Sequence, residues 1–174
     1  MLSKTLAVGM GLVLALIVGC GQSATPTAKA TLVNTKGERV GMAMLTETPK
    51  GVKIVLEAAD LPPGVHAFHI HENGVCATPD FASAGGHFNP FGKEHGFENP
   101  AGPHAGDLPN ITVAPNGMVK AEMYSKLVTL SEGPKNSLFK PGGTSLMIHS
   151  GPDDYVTDPA GGAGARIACG VITK

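Results

Sequence analysis

Histidines are the residues of this chain best suited to chemistry, and six of the seven lie between positions 66 and 104. His69 and His71 alternate with Phe68 and Ile70, so a strand would place both imidazoles on one face and both apolar side chains on the other. Imidazole ligates zinc and copper and exchanges protons near neutral pH. One such pair is weak evidence for a metal site, because two half-exposed histidines on a strand are common.

Further candidate ligands follow in a segment rich in glycine: His87, His95, His104 and Asp107. Three imidazoles and a carboxylate form a suitable tetrahedral set for Zn²⁺, and zinc binding would supply the free energy needed to order such a segment. The alternative is a polar surface loop that happens to contain histidines. The number of histidines and the need to order the loop favour the zinc site.

Short strands joined by turns must position these side chains. Alternation of apolar and polar residues predicts eight strands and no helix, with the strands over residues 30–34, 40–46, 52–59, 67–71, 111–114, 118–123, 146–149 and 166–172. The turn signals are Lys36-Gly37 and Asn116-Gly117. The pattern predicts an all-β sandwich or barrel with two long loops, residues 72–107 and 150–165, that something must order.

Composition bounds the class of protein. The chain has 174 residues, 42% hydrophobic and 16% charged, with 24 Gly, 14 Pro, no Trp and 5% aromatic residues. These values fit one domain built from loops and short strands. Thirteen Lys and Arg against fourteen Asp and Glu give a net charge of −1, without a basic run. We therefore expect no nucleic-acid partner.

The N-terminal residues have the features of an export signal. Lys4 precedes an apolar stretch from Leu6 to Val18, which is too short to span a bilayer comfortably and is typical of a signal peptide. The segment Ile17-Val18-Gly19-Cys20 resembles a bacterial lipobox. It predicts a signal peptide over residues 1–19, a lipid-modified Cys20 with a flexible tether over residues 20–29, and a domain over residues 30–174. A plain cleaved secretory signal is the alternative.

The lipobox also predicts where the protein resides. Acyl chains on Cys20 would anchor the exported domain to the bacterial cell membrane, on the extracytoplasmic side. With Cys20 modified, Cys76 and Cys169 remain. An even pair of cysteines in an exported protein indicates a disulfide, which would close a loop of about 90 residues and contribute about 4–5 kcal/mol.

Several segments together resemble the copper,zinc superoxide dismutases in their bacterial exported form. The matching segments are FHIHE at 68–72, GHFNP at 86–90, HG at 95–96, HAGDLPN at 104–110, IH at 148–149 and GARIACGVI at 164–172. The resemblance covers roughly residues 30–174 and implies an eight-stranded Greek-key β-barrel. It also implies an enzyme that converts two superoxide anions and two protons to O₂ and H₂O₂ by cycling copper between Cu(II) and Cu(I).

The resemblance implies a role for each candidate residue. The copper ligands would be His69, His71, His87 and His149, and the zinc ligands would be His87, His95, His104 and Asp107. Copper would carry the reaction and zinc would hold the loop, because only copper changes its oxidation state. His87 would bridge both metals and exchange a proton, and Arg166 would attract and orient the anion. Asp153 would link ligands of the two metals, and Cys76 and Cys169 would form the family's disulfide.

Several alternatives stay open at this stage. Asp153 also fits a type I turn, Arg166 could pair with a carboxylate, and His66 fits a structural histidine better than a ligand. The loop before Arg166 is short compared with that of animal cytosolic relatives, and Ala160 replaces a threonine that many relatives carry on the pocket rim. These two departures remove no ligand, but they leave the catalytic rate open.

A different class of function competes with the enzyme. A zinc-stabilised module could buffer or pass on copper without catalysis, and a third possibility is an envelope adhesion domain. The complete copper ligand set together with Arg166 favours the enzyme. The pattern does not distinguish a monomer from a homodimer.

Overall fold

The computed structural model describes residues 25–174, so the predicted signal peptide, Cys20 and the beginning of the tether lie outside the described residues. Nine strands and one short 3₁₀ turn, Ala82–Ala84, make up its regular structure. The strands are β1 (Thr27–Asn34), β2 (Arg39–Thr48), β3 (Gly51–Ala58), β4 (Gly64–His66), β5 (Phe68–His71), β6 (Ile111–Val113), β7 (Val119–Ser125), β8 (Ser145–His149) and β9 (Arg166–Thr173).

Seven strands form one antiparallel sheet in the order β5-β8-β9-β1-β2-β3-β7, and β4 pairs with β6. Only Ala67 separates β4 from β5, and a turn in which Ala114 N–H donates to the carbonyl of Met118 joins β6 to β7. The β4–β6 pair therefore connects the two edges of the curled sheet. This topology confirms the predicted all-β Greek-key barrel.

Each predicted strand has its counterpart, with ends that differ by at most three residues. β4 was not predicted, because three residues are too few to show alternation. The prediction of a tether through Lys29 was wrong for its last three residues, since β1 begins at Thr27 and pairs it with Thr46 of β2. Small side chains caused this error: Ala28 looks like linker sequence but is buried in the barrel.

The barrel interior is filled by the apolar residues of the alternating pattern. Leu32, Leu45, Ile54, Leu56 and Phe68 have no exposed surface. Burial of one such side chain stabilises the fold by about 1.5–3 kcal/mol. Because side chains alternate along a strand, burial of these residues in the core turns the residues between them to the outer face of the barrel.

The long loop over residues 72–107 covers the outside of β5 and β8. All residues of these two strands are buried, because one face lies on the barrel core and the other lies under the loop. Met147 packs against Phe81 and Ala84 of the loop, in a small cluster that includes Cys169. The space between strands and loop is where the histidines of β5 lie. Within residues 25–174, no helix is long and apolar enough to cross a membrane.

Cys76 and Cys169 form the predicted disulfide, with a Cα–Cα distance of 5.7 Å and a sequence separation of 93 residues. The bond attaches the loop to β9. We expect replacement of both cysteines by serine to lower the free energy of unfolding by about 2–5 kcal/mol. The melting temperature of the metal-free chain should fall by 2–4 °C for each kcal/mol lost, roughly. An unchanged melting temperature would show that packing alone holds the loop.

Candidate metal centre

Potential ligand atoms converge in two groups that share His87, and a third group, His69, His95 and Asp153, links them. The first is His69, His71, His87 and His149, and the second is His87, His95, His104 and Asp107. Within each group one ligand atom from each residue lies within 4.8 Å of all the others, and every residue is buried. The structure thus brings together all seven residues that the sequence singled out as metal ligands.

The pairing of β5 with β8, and the hydrogen bonds between β5 and the loop over residues 72–107, explain this convergence. β5 carries His69 and His71, and its antiparallel partner β8 ends at His149. On the other side of β5, Ile70 N–H donates to the carbonyl of Gly106, and the carbonyl of Ile70 accepts from Phe88 N–H, both at 2.8 Å. The residues beside these loop positions, His87 and Asp107, are therefore held against the same strand.

In the first group, hydrogen bonds engage the ring nitrogens that face away from the centre. His71 Nδ1 lies 3.0 Å from the carbonyl of Gly85, His149 Nδ1 lies 3.3 Å from that of Gly164, and His69 Nε2 lies 2.8 Å from Asp153 Oδ2. If these nitrogens carry the protons, the opposite nitrogens keep their lone pairs. His71 Nε2 and His149 Nε2 are 3.3 Å apart.

Two other nitrogens complete the first group. His69 Nδ1 and His87 Nε2 are buried and have no hydrogen-bond partner. A buried polar atom without a partner is costly, and four converging imidazole lone pairs are a donor set for a transition metal. The residues present therefore fit a copper ion.

The second group gathers around one carboxylate oxygen. Oδ1 of Asp107 lies 2.9 Å from His87 Nδ1, 3.1 Å from His95 Nδ1 and 3.4 Å from His104 Nδ1. Its other oxygen accepts hydrogen bonds from the main-chain N–H groups of Gly96 and His104, both at 2.9 Å. Three nitrogens around a fixed carboxylate fit the tetrahedral set that Zn²⁺ prefers, and His104 Nδ1 has no hydrogen-bond partner.

Burial keeps three histidines of the first group neutral. It lowers the pKa of His71 to about 2, of His149 to about 3 and of His87 to about 4, with neighbouring imidazoles adding to the effect. For His87, the hydrogen bond to Asp107 opposes the effect of burial. Neutral imidazole is the form that ligates a metal, so these side chains are ready to do so at neutral pH.

In the second group, the pKa of His95 shifts in the opposite direction. Burial lowers the pKa of His95, but hydrogen bonds to Asp107 and Asp153 outweigh it and raise this pKa to about 9. Burial likewise raises the pKa of Asp107, but contacts with the three histidines hold it far below its usual range. The metal-free group therefore holds a proton on His95 between two carboxylates. A bound cation would take the place of the proton on Nδ1.

Asp153 connects the two groups. Its Oδ2 lies 2.8 Å from His69 Nε2 and its Oδ1 lies 2.9 Å from His95 Nε2, and hydrogen bonds from both rings lower its pKa although burial raises it. The main chain of Asp153 is fixed by the Asn110 side chain: its N–H donates to Asn110 Oδ1 and its carbonyl accepts from Asn110 Nδ2, both at 2.9 Å. Because both carboxylate oxygens are already engaged, Asp153 lies where it would orient ligands of both metals.

The Asp153 carboxylate occupies the space that a side chain at position 161 would fill, and Gly161 has none. A Cβ atom at Gly161 would collide with Asp153 Oδ1 and lie 2.8 Å from His95 Nε2. We expect Gly161→Ala to displace Asp153 and to weaken binding of copper and zinc by about 10–100-fold, the effect of losing an outer-shell partner. Competition with chelators of known affinity measures both.

A matched control separates this collision from backbone strain. Gly162 has the same φ of 64° as Gly161, but its Cβ would meet Asp154 Oδ2 at an ordinary 3.8 Å. Gly162→Ala should therefore carry the same cost of a left-handed alanine and keep its metal affinity. Equal metal affinities in the two variants would contradict the role given to Asp153.

Arg166 lies beside the first group in a cavity of ≈ 450 Å³ that is also lined by His71, His87 and His149. Its two terminal nitrogens donate hydrogen bonds of 2.6 Å to the carbonyls of Phe81 and Gly85. Burial lowers its pKa, and Asp80 partly opposes this shift. The guanidinium is thus held by main-chain carbonyls, and its positive charge borders the cavity.

Sequence reasoning missed the acceptors that orient the rings. Every residue has a main-chain carbonyl, so the sequence does not reveal that those of Gly85 and Gly164 accept hydrogen bonds here. Asp158, whose Oδ1 accepts the His95 main-chain N–H at 2.7 Å, belongs to no recognised motif. Asn110 was noted only as part of a matching segment. His66 lies outside both groups, with its ring nitrogens 2.8 Å from the carbonyls of His149 and Pro62, as expected for a structural histidine.

The barrel and its two fused ligand groups define a class of protein that holds two metal ions through one shared imidazole. The family model described as copper/zinc superoxide dismutase (SODC) matches residues 39–172. The chain therefore belongs to the copper/zinc superoxide dismutase family. The members of this enzyme class are oxidoreductases, and their substrate is superoxide.

Individual relatives support this assignment. The chain is 58% identical over 158 residues to copper-zinc superoxide dismutase 2 of Aquifex aeolicus, covering 90% of this chain and 92% of the relative. A crystal structure of a superoxide dismutase-like protein from Bacillus subtilis has a TM-score of 0.80 at 46% identity, covering 82% of this chain and 96% of that chain. The copper/zinc superoxide dismutase from Brucella abortus gives 0.70 at 31% identity, covering 84% and 99%.

Proposed function

We propose that this chain converts two superoxide anions and two protons to O₂ and H₂O₂ on the extracytoplasmic side of the cell. Copper would be bound by His69, His71, His87 and His149, and zinc by His87, His95, His104 and Asp107. The observation that carries the proposal is the convergence of four buried imidazoles, of which His69 Nδ1 and His87 Nε2 have no hydrogen-bond partner. Three of these imidazoles, His71, His87 and His149, border a cavity that is also lined by the partly buried Arg166.

Copper, when bound, supplies a one-electron couple between Cu(II) and Cu(I), which zinc lacks. In this proposal, His87 takes up and releases the proton. Its Nδ1 lies in the zinc group, 2.9 Å from Asp107 Oδ1, and its Nε2 lies in the copper group. Nε2 can therefore take up a proton during the first half-reaction and return it to the reduced product in the second, while Nδ1 keeps the ring in place.

Arg166 binds and orients the anion in this proposal. Its contacts with the Phe81 and Gly85 carbonyls fix the plane of the guanidinium. Gly85 also accepts from His71, so the anion site and a copper ligand are positioned by one main-chain carbonyl. A fixed positive charge inside a partly buried cavity attracts a small anion more strongly than one exposed to water.

The proposal is tested by preparing the metal-free chain and restoring copper, zinc or both. We expect one copper and one zinc per chain, and superoxide consumption only in the preparations that contain copper. Metal content and steady-state dismutation are measured on the same samples. Stoichiometric copper without turnover would contradict the proposal and would favour a module that buffers copper.

We also propose that residues 1–19 are a signal peptide and that a lipid on Cys20 anchors the domain to the cell membrane. Lipidation is consistent with the lipobox and with a barrel that begins at Thr27, a few residues further on. In a bacterial host, the unmodified chain should enter the detergent phase of a cloud-point extraction, and Cys20→Ala should move most of it to the aqueous phase. Equal partitioning of the two chains would contradict the anchor.

A further inference from the structure

In the proposed centre, five histidines bind a single metal, and His104 differs from the other four in the surroundings of its outward ring nitrogen. His69, His71, His95 and His149 all have their outward ring nitrogen within 3.3 Å of an oxygen. Among residues 25–174, His104 Nε2 has no hydrogen-bond partner of this kind. The carboxylate oxygen Oδ1 of Asp158 lies 3.9 Å from it.

Asp158 belongs to the second long loop, residues 150–165, and reaches across to the first. Its Oδ1 accepts the main-chain N–H of His95 at 2.7 Å, so the oxygen facing His104 is held in place. The side chain is half exposed, with 50% of its surface accessible. One carboxylate oxygen thus faces two of the proposed zinc ligands without belonging to the zinc group.

The residues that follow Asp158 form part of the cavity wall. Pro159 and Ala160 line the cavity that contains Arg166 and three imidazoles of the copper group. A contact between Asp158 and the zinc ligands therefore also fixes the start of this wall. Pro159 follows Asp158 in the chain, so displacement of Asp158 would be transmitted directly to Pro159.

We propose that Asp158 is a positioning residue of the zinc site, whose carboxylate charge, 3.9 Å from His104 Nε2, favours a proton on that nitrogen and thereby anchors the cavity wall at residues 159–160. A proton on Nε2 leaves the lone pair on Nδ1, the nitrogen that faces Asp107 Oδ1 at 3.4 Å. A carboxylate behind a metal-bound imidazole fixes this tautomer and increases the basicity of the ligand. The inference rests on the proposed zinc ligands.

Asp158→Asn tests the inference, because asparagine keeps an oxygen for the His95 N–H and removes the charge facing His104. We expect the dissociation constant for zinc to rise about tenfold, the lower end of outer-shell effects, because the side chain is half exposed. The affinity for copper should stay unchanged. Zinc affinity is measured by competition with a chromophoric chelator, and Co²⁺ in the zinc site reports ligand geometry through its visible spectrum.

Asp154→Asn is the matched control. Asp154 belongs to the same loop, and its carboxylate accepts hydrogen bonds from Val156 N–H, Thr157 N–H and the Thr157 hydroxyl. Zinc affinity should match the unmodified chain in this control. Unchanged zinc affinity in Asp158→Asn, or an equal loss in Asp154→Asn, would overturn the inference. Failure of the unmodified chain to bind zinc would instead contradict the proposed function.

Discussion

The His149→Ala variant should bind little copper and lose superoxide dismutation by about 100-fold or more, while it keeps its zinc. The Nε2 atom of His149 is 3.3 Å from that of His71, and among residues 25–174 the copper group contains no candidate ligand besides its four histidines. Loss of an outer-shell partner already costs 10–100-fold in affinity or activity, and loss of a direct ligand should exceed that range, roughly. Metal content, the Cu(II) electron paramagnetic resonance spectrum and the rate are measured together.

His104→Ala is the matched control for this prediction. It removes one imidazole from the zinc group and leaves all four imidazoles of the copper group. We expect reduced zinc binding with copper still bound. If His149→Ala kept its copper and its rate, the division of histidines between the two metals would be wrong.

Removal of both metals should lower the melting temperature by roughly 16–32 °C, because each metal contributes about 8–16 °C. A ligand at about 1,000 times its dissociation constant stabilises the folded state by about 4.1 kcal/mol, and each kcal/mol shifts the midpoint by about 2–4 °C in a chain of this size. The metal-free centre holds three buried nitrogens without hydrogen-bond partners, His69 Nδ1, His87 Nε2 and His104 Nδ1. Calorimetry with and without chelator measures the shift.

The loss of stability should be local. The N–H groups of Gly96 and His104 donate to Asp107 Oδ2, so their hydrogen exchange should accelerate when the zinc group is empty. Amides of β1, β2 and β3 pair within the barrel and should keep their protection. A melting temperature independent of metal would contradict a role for zinc in ordering the loop.

The barrel could be predicted because its strands alternate. In β3, Val52, Ile54 and Leu56 are buried between residues that are partly exposed, and this period was visible in the sequence. The same period placed His69 and His71 on the face away from the core. The prediction failed where local pattern carries little information, at the short strand β4 and at Ala28, whose small side chain resembles linker sequence.

The site could be predicted only in part from the residues themselves. Local spacing suggested the zinc group, whereas the pairing of His71 with His149 depends on the antiparallel contact of β5 with β8. The resemblance to a family supplied that pairing. Neither source indicated which ring nitrogen faces each centre, because the carbonyls of Gly85 and Gly164 select it by their position alone.

Pulse radiolysis tests the proposed activity most directly, because it follows the disappearance of superoxide itself. The chain loaded with copper and zinc should consume superoxide with a second-order constant on the order of 10⁹ M⁻¹s⁻¹, the diffusional limit that superoxide dismutases are known to reach. The zinc-only chain is the reference. A copper-loaded chain no faster than this reference would show that its four imidazoles hold copper without turning over superoxide.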